Sequence, residues 1–102
     1  MTEKEEMLAA VNKMQTPKET WHKLYSVKDI KIGYLTQFRE QNDMTALRAF
    51  SDDVNNPKSP LSKHPEDYEL WSIGEMCIEN GKIISEVRFI GRALDYVRQG
   101  QE

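Results

Sequence analysis

Apolar residues along the chain recur at two different spacings, and the switches between them mark the elements. Met7, Leu8, Val11 and Met14 follow the helical period. "TEKE" ahead of them sets Thr2 and Glu5 at capping-box spacing, and Pro17 closes the element, so the pattern predicts a helix over 3–15. Next come two β-favouring runs, "HKLYSVKD" with Leu24, Tyr25 and Val27, and "YLTQFREQ" with Leu35, Thr36 and Phe38. They predict a hairpin around Gly33. Asn42 or Asp43 can cap the following helix, whose stripe is Met44, Leu47, Phe50 and Val54 and whose span is 44–54, ahead of Pro57. "NNPKSPLSKHP", with three prolines in eleven residues, reads as a structured loop.

In "HPEDYELWSIGEM", Pro65 biases His64 away from helix, and Tyr68, Leu70, Trp71 and Ile73 predict a strand starting near Tyr68. The "ENGK" stretch predicts a two-residue turn at Asn80 and Gly81, because both residue types tolerate positive φ. That turn sets Glu79 opposite Lys82. Ile78 then opposes Ile83, Met76 opposes Ser85 and Gly74 opposes Val87 on a core face, while Cys77 opposes Ile84 and Glu75 opposes Glu86 on the other. In "FIGRALDYVRQG", Phe89, Ile90, Ala93, Leu94 and Val97 return to helical spacing, with Gly100 as a stop. The expected fold is therefore α+β, of order αββαββα: an antiparallel sheet of two β-hairpins, a packed central helix and terminal helices. Residues 1–22 form a helical extension and residues 23–102 one domain.

The chain length of 102 residues suits one modest core and not two. No apolar run approaches the ~20 residues of a membrane span, and the acidic N-terminus lacks the pattern of a secretion signal, so a soluble intracellular protein without membrane contact is expected. The lone cysteine, Cys77, excludes an internal disulfide and a multi-cysteine zinc site.

Candidate chemistry is sparse. Cys77 and His64 invite a thiol-nucleophile reading, but a mid-strand cysteine lacks the helix start and oriented base that would activate it. His22 and His64 have no metal-ligand spacing, and Glu66, Asp67 and Glu69 are accounted for by strand entry and solvation. Glu75 opposite Glu86 would be a solvated face flanked by Lys82 and Arg88. The expectation is a protein that is not an enzyme, with no catalytic residues, no metal and no cofactor. The second hairpin face mixes Trp71, Ile73, Cys77 and Ile84 with charges, which suggests an interface and a homo-oligomer.

A net charge of -3 gives no global attraction to phosphate, but charge is unevenly spread. Residues 23–50 carry five basic and three acidic side chains, against six and ten for residues 51–102. Lys23, Lys28, Lys31 and Arg39 accompany Tyr25, Tyr34 and Phe38 on the first hairpin, and Arg88 and Arg92 form a second cluster. Cations beside aromatic rings suit a single strand of nucleic acid.

The stretches "KLYSVKD", "ND...ALRAFSDDVNN" and above all "SPLSKHPEDYELWSIGE", over about residues 23–87, resemble the small nonstructural protein of gokushoviruses, single-stranded DNA phages of the Microviridae. The resemblance implies a nonstructural role in viral single-stranded DNA synthesis or packaging, in the host bacterial cytoplasm, and brings no catalytic residues with it. Two readings stay open. One is a protein that binds single-stranded DNA; the other is an adaptor or inhibitor working through protein contacts on replication, capsid or host-defence proteins of phage or host.

Overall fold

A computed structural model describes residues 18–98. The order of elements is β1 (Trp21–Asp29), β2 (Gly33–Glu40), α1 (Asp43–Val54), α2 (Pro60–Lys63), a 3-10 turn (Pro65–Asp67), β3 (Tyr68–Cys77), β4 (Ile83–Arg92) and a second 3-10 turn (Ala93–Tyr96). The strands make one antiparallel sheet of order β2-β1-β3-β4. Strand β1 is thus paired on both sides, and the helical segment from β2 to β3 crosses over it.

The first hairpin turns at Gly33, as its sequence predicts, with a φ of +134° that an L side chain rarely adopts. Helix α1 starts where the capping residues stand. The Asn42 side chain accepts from the Thr45 amide at 2.9 Å, and the Thr45 hydroxyl reciprocally caps the Asn42 amide. Ala46, Phe50 and Val54 point inward from this helix onto Tyr25 and Leu70, with Leu61 and Ala93 completing the buried cluster. Val27, Phe38, Tyr68, Ile90 and Tyr96 pack around it. Among the described residues the core therefore lies on one face of the sheet.

Two expectations about helices are corrected. The fold is not helix-rich: among the described residues it is dominated by the four-stranded sheet, with one helix of several turns and no helix after β4. The C-terminal helix is absent, because β4 continues through Arg92 and residues 93–96 form only a 3-10 turn. Ile83, Ile84, Val87, Phe89 and Ile90 are β-branched or aromatic and find a full-length partner in β3. Gly91 is a packing glycine, since a Cβ there would stand 3.0 Å from the Tyr96 ring, which itself meets Phe50 edge-on. The N-terminal helix over 3–15 and the stop at Gly100 lie outside the described residues.

The second hairpin forms, but with a longer turn than the expected two residues. The Cys77 amide donates to Lys82 O and the Gly81 amide to Cys77 O, both at 2.8 Å, so Cys77 stands opposite Lys82 and not Ile84. Asn80 keeps a negative φ, which rules out the turn type that needs two positive values. A distant contact explains the change. Glu79 accepts from both the amide and the hydroxyl of Thr20 at 2.6 Å, and the Ile78 amide donates to Thr20 O, which draws the tip toward the start of β1. These bonds pull the Glu79 carboxyl down to a pKa of about 2.

The registers shift accordingly. Met76 opposes Ile83, Glu75 opposes Ile84 and Gly74 opposes Ser85, while beyond an extra residue in β4 Ser72 opposes Arg88 and Trp71 opposes Phe89. Glu75 and Glu86 are therefore not the facing pair that the two-residue turn implied. The longer turn shifts the pairing by two residues, which keeps the faces, and each of two irregularities in β4 takes one residue back, so Leu70 opposes Gly91 and Glu69 opposes Arg92.

Candidate nucleic-acid interface

The face of the sheet turned away from α1 carries a row of side chains drawn from all four strands. Tyr34 comes from β2, Lys28 from β1, Trp71 from β3 and Phe89 from β4. Lys28 is the register partner of Tyr34, and Trp71 is the partner of Phe89, which places each pair on a common face. Ser26, partner of Trp71, provides a small residue between them, and its hydroxyl is satisfied by Leu35 O at 3.0 Å.

The rings form a ladder. Tyr34 and Trp71 have centroids 5.9 Å apart at an interplanar angle of 84°, and Trp71 and Phe89 stand 5.5 Å apart at 74°. Edge-to-face contacts of this kind suit the ring quadrupole. Lys28 Nζ lies 5.2 Å from the centroids of both Tyr34 and Trp71, so one cation bridges two rings. The Trp71 indole N–H donates to Glu69 Oε1 at 2.9 Å, which fixes the ring plane. Tyr34 is 45% and Phe89 46% exposed, and Trp71 is half-buried. Chemically the row offers apolar ring surface, a held cation and few obstructions, with none of the three rings absorbed into the core cluster.

The other sequence-predicted site residues are placed elsewhere. Lys23 lies between Glu40 on β2 and Glu75 on β3, and with Ser72, Glu86 and Arg88 it lines a small polar cleft on the α1 side. Arg88 holds Asp43 through two bonds of 2.9 and 3.1 Å, and the buried Tyr25 hydroxyl donates to the same carboxylate at 2.7 Å. Those bonds hold the Asp43 carboxyl below its ordinary range, the guanidinium contributing most, while burial and then Asp43 push the Tyr25 phenol up. Arg92 pairs with Asp95 at 3.0 Å and Lys31 with Asp67 at 3.3 Å. Arg39 is exposed on β2 opposite Leu24.

The structure thus brings Lys28 and Tyr34 together, sets Lys23 and Arg88 in a separate cleft on the α1 side, and leaves Lys31, Arg39 and Arg92 apart from both. Of the four residues expected at an interface, Trp71 joins the ladder, Ile73 is half-buried at the register shift, Ile84 is 52% exposed, and Cys77 is fully buried. Phe89 was missed, because its spacing from Ile90 and Ala93 reads as helical. The signal that finds it is the alternation of Val87 and Phe89 with Glu86 and Arg88.

His64, Glu66 and Asp67 hold their ligand atoms within 4.8 Å of one another. The Lys31 ammonium already neutralises Asp67, and the His64 carbonyl accepts from the Asp67 amide at 3.0 Å, as expected of a turn residue. No helix among the described residues is long and apolar enough to cross a membrane.

A family model described as "Phage ORF5 protein" matches residues 22–96. Comparison with curated proteins and with solved structures returns no match.

Proposed function

Because the chain belongs to the Phage ORF5 protein family, we propose that it is a non-enzymatic nonstructural protein of a gokushovirus that binds single-stranded DNA across the open face of its sheet. It would act in the host bacterial cytoplasm during viral single-stranded DNA synthesis or packaging. The observation that carries this reading is the Tyr34–Trp71–Phe89 ladder with Lys28 set among its rings. Unpaired bases present π-faces that exposed rings can take up, and a cation beside the rings can meet the phosphate that follows. Duplex DNA hides its base faces, so it gains little from such a surface. The net charge of -3 does not oppose the reading, since α1 carries Asp43, Asp52 and Asp53 on the opposite side of the sheet.

Fluorescence anisotropy with a labelled single-stranded oligonucleotide tests the proposal. Trp71→Ala should weaken binding by about 1–3 kcal/mol, the usual worth of one stacking ring. Lys28→Glu should weaken it further at low salt than at high salt, because it replaces a cation near phosphate by an anion. Lys58→Glu, in the loop after α1, should change little. Thermal midpoints near the wild-type value would show that the variants remain folded. Absence of oligonucleotide binding even at low salt would refute the proposal and favour an adaptor acting through protein contacts.

A further inference from the structure

Strand β4 is an edge of the sheet among the described residues, and its first seven residues, Ile83–Phe89, are all exposed. Its outer side has no partner strand among the described residues, while Arg88 reaches Asp43 of α1 and Phe89 rests against Trp71. Its exposed residues include Ile83 at 63%, Ile84 at 52% and Val87 at 54%. A long apolar edge invites another strand, and proteins that avoid such pairing place lysines or prolines there. Neither residue type occurs between Ile83 and Arg92. The other edge, β2, also lacks lysine and proline and exposes Tyr34 and Leu35, but it presents Thr36, Gln37, Arg39 and Glu40 beside them and no row of β-branched apolar residues.

The order of charges on β4 names its partner. In an antiparallel pairing of β4 with β4 of a second copy, centred on Val87, Glu86 opposes Arg88 and Arg88 opposes Glu86, giving two cross-strand ion pairs related by the two-fold axis. Val87 meets its own copy, and Ile84 opposes Ile90. Each of these pairings joins like with like or opposite charges, the arrangement that stabilises adjacent strands. Glu86 and Arg88 already flank the same cleft on the α1 side, so both point to the same face of the sheet. We propose that two copies of this chain associate edge to edge through β4, in the register centred on Val87, to form a continuous eight-stranded antiparallel sheet. The register of β4 on β3 skips a residue twice, between Ser85 and Arg88 and at Ile90, which removes some ladder bonds at and beside the centre. The side-chain pairs therefore carry more of the association than in a regular ladder. The inference is independent of the DNA-binding reading, because it uses the strand edge and not the ring face.

Charge reversal tests it on the full chain. Glu86→Lys alone sets cation against cation in the pair, and Arg88→Glu alone sets anion against anion, so each variant should show a monomer's mass by light scattering at concentrations where the wild type is a dimer. Mixed in equal amounts, the two variants have complementary edges and should regain the dimer mass. A misfolded chain would not be rescued by mixing. Because Arg88→Glu also loses Asp43 within its own protomer, Val87→Asp is run alongside and should be monomeric with its thermal midpoint preserved. A monomeric wild type at tens of micromolar, or dimers of wild type, Glu86→Lys and Val87→Asp alike, would overturn the proposal.

Discussion

Replacing Gly74 with alanine should cost far more than replacing Gly33, although both glycines have similar backbone angles. Gly33 has a φ of +134° and Gly74 a φ of +141°, both in a region that L residues occupy at a cost of about 1–3 kcal/mol. Their surroundings differ. A Cβ at 33 meets nothing within 4 Å, whereas a Cβ at 74 would lie 2.0 Å from the carbonyl oxygen of Ile84 and 3.1 Å from Ser85 Cα. A carbon resting against a carbonyl oxygen needs about 3.3 Å, so β3 and β4 would have to separate by more than an ångström at this point. That opening sacrifices one or two ladder bonds at ~1 kcal/mol each, and loosens packing beside them. Gly33→Ala should therefore lose only the conformational term, and Gly74→Ala at least ~1 kcal/mol more. For a domain of this size each kcal/mol lowers the melting temperature by roughly 4–8 °C. Thermal melts followed by circular dichroism should separate the two variants by at least ~4 °C. Equal melting temperatures for the two would refute the reasoning that close approach of the β4 backbone, and not φ alone, requires glycine at 74.

Two further outcomes follow from polar contacts. Glu69→Gln keeps an acceptor for the Trp71 indole but removes the anion beside the ladder; single-stranded oligonucleotide binding should tighten, most at low salt, and an unchanged affinity would show that phosphates do not approach this end of the row. The Asp43 carboxyl is held below its ordinary 3.8 by Arg88 and Tyr25, so it contributes stability that is present above about pH 4 and is lost as pH falls toward its folded value. Asp43→Asn should flatten that acid limb of a plot of melting temperature against pH, and an acid limb as steep as the wild type's would refute the assignment.

How far the fold could be read from the chain depended on whether each signal was local. The hairpin at Gly33, the cap at Asn42 and the strand from Tyr68 rest on residues within a few positions of one another, and the structure has all three. The turn at Asn80 and Gly81 carries an equally local signal, yet Thr20, some 59 residues away in sequence from Glu79, decides its length. No pattern within the hairpin records that contact. The β4 segment fails for another reason: Phe89, Ile90 and Ala93 satisfy a helical period while Val87 and Phe89 satisfy a strand period, and only pairing with β3 selects between them. The site inherits both difficulties. Lys28 and Tyr34 are legible as a cation and a ring on one hairpin, whereas Trp71 and Phe89 join them only once the register of the second hairpin and the β1–β3 pairing are known.

If both surfaces act together, symmetry constrains how a nucleic acid strand can lie. The axis through Val87 is perpendicular to the sheet, so the open faces of the two copies point the same way and their ladders share one surface. Phe89 then opposes Ser85 of the second copy, and the two Phe89 rings are offset by four residues, about 14 Å along the strand direction at ~3.4 Å per residue. The ladders are also related by a half-turn, so their Tyr34-to-Phe89 directions are opposed. A DNA strand has a direction of its own. Sites related by this two-fold axis bind it in opposite senses, and one strand cannot run straight through both with the same contacts. The dimer is therefore suited to two antiparallel segments lying side by side, either from separate molecules or from opposite arms of a closed single-stranded circle.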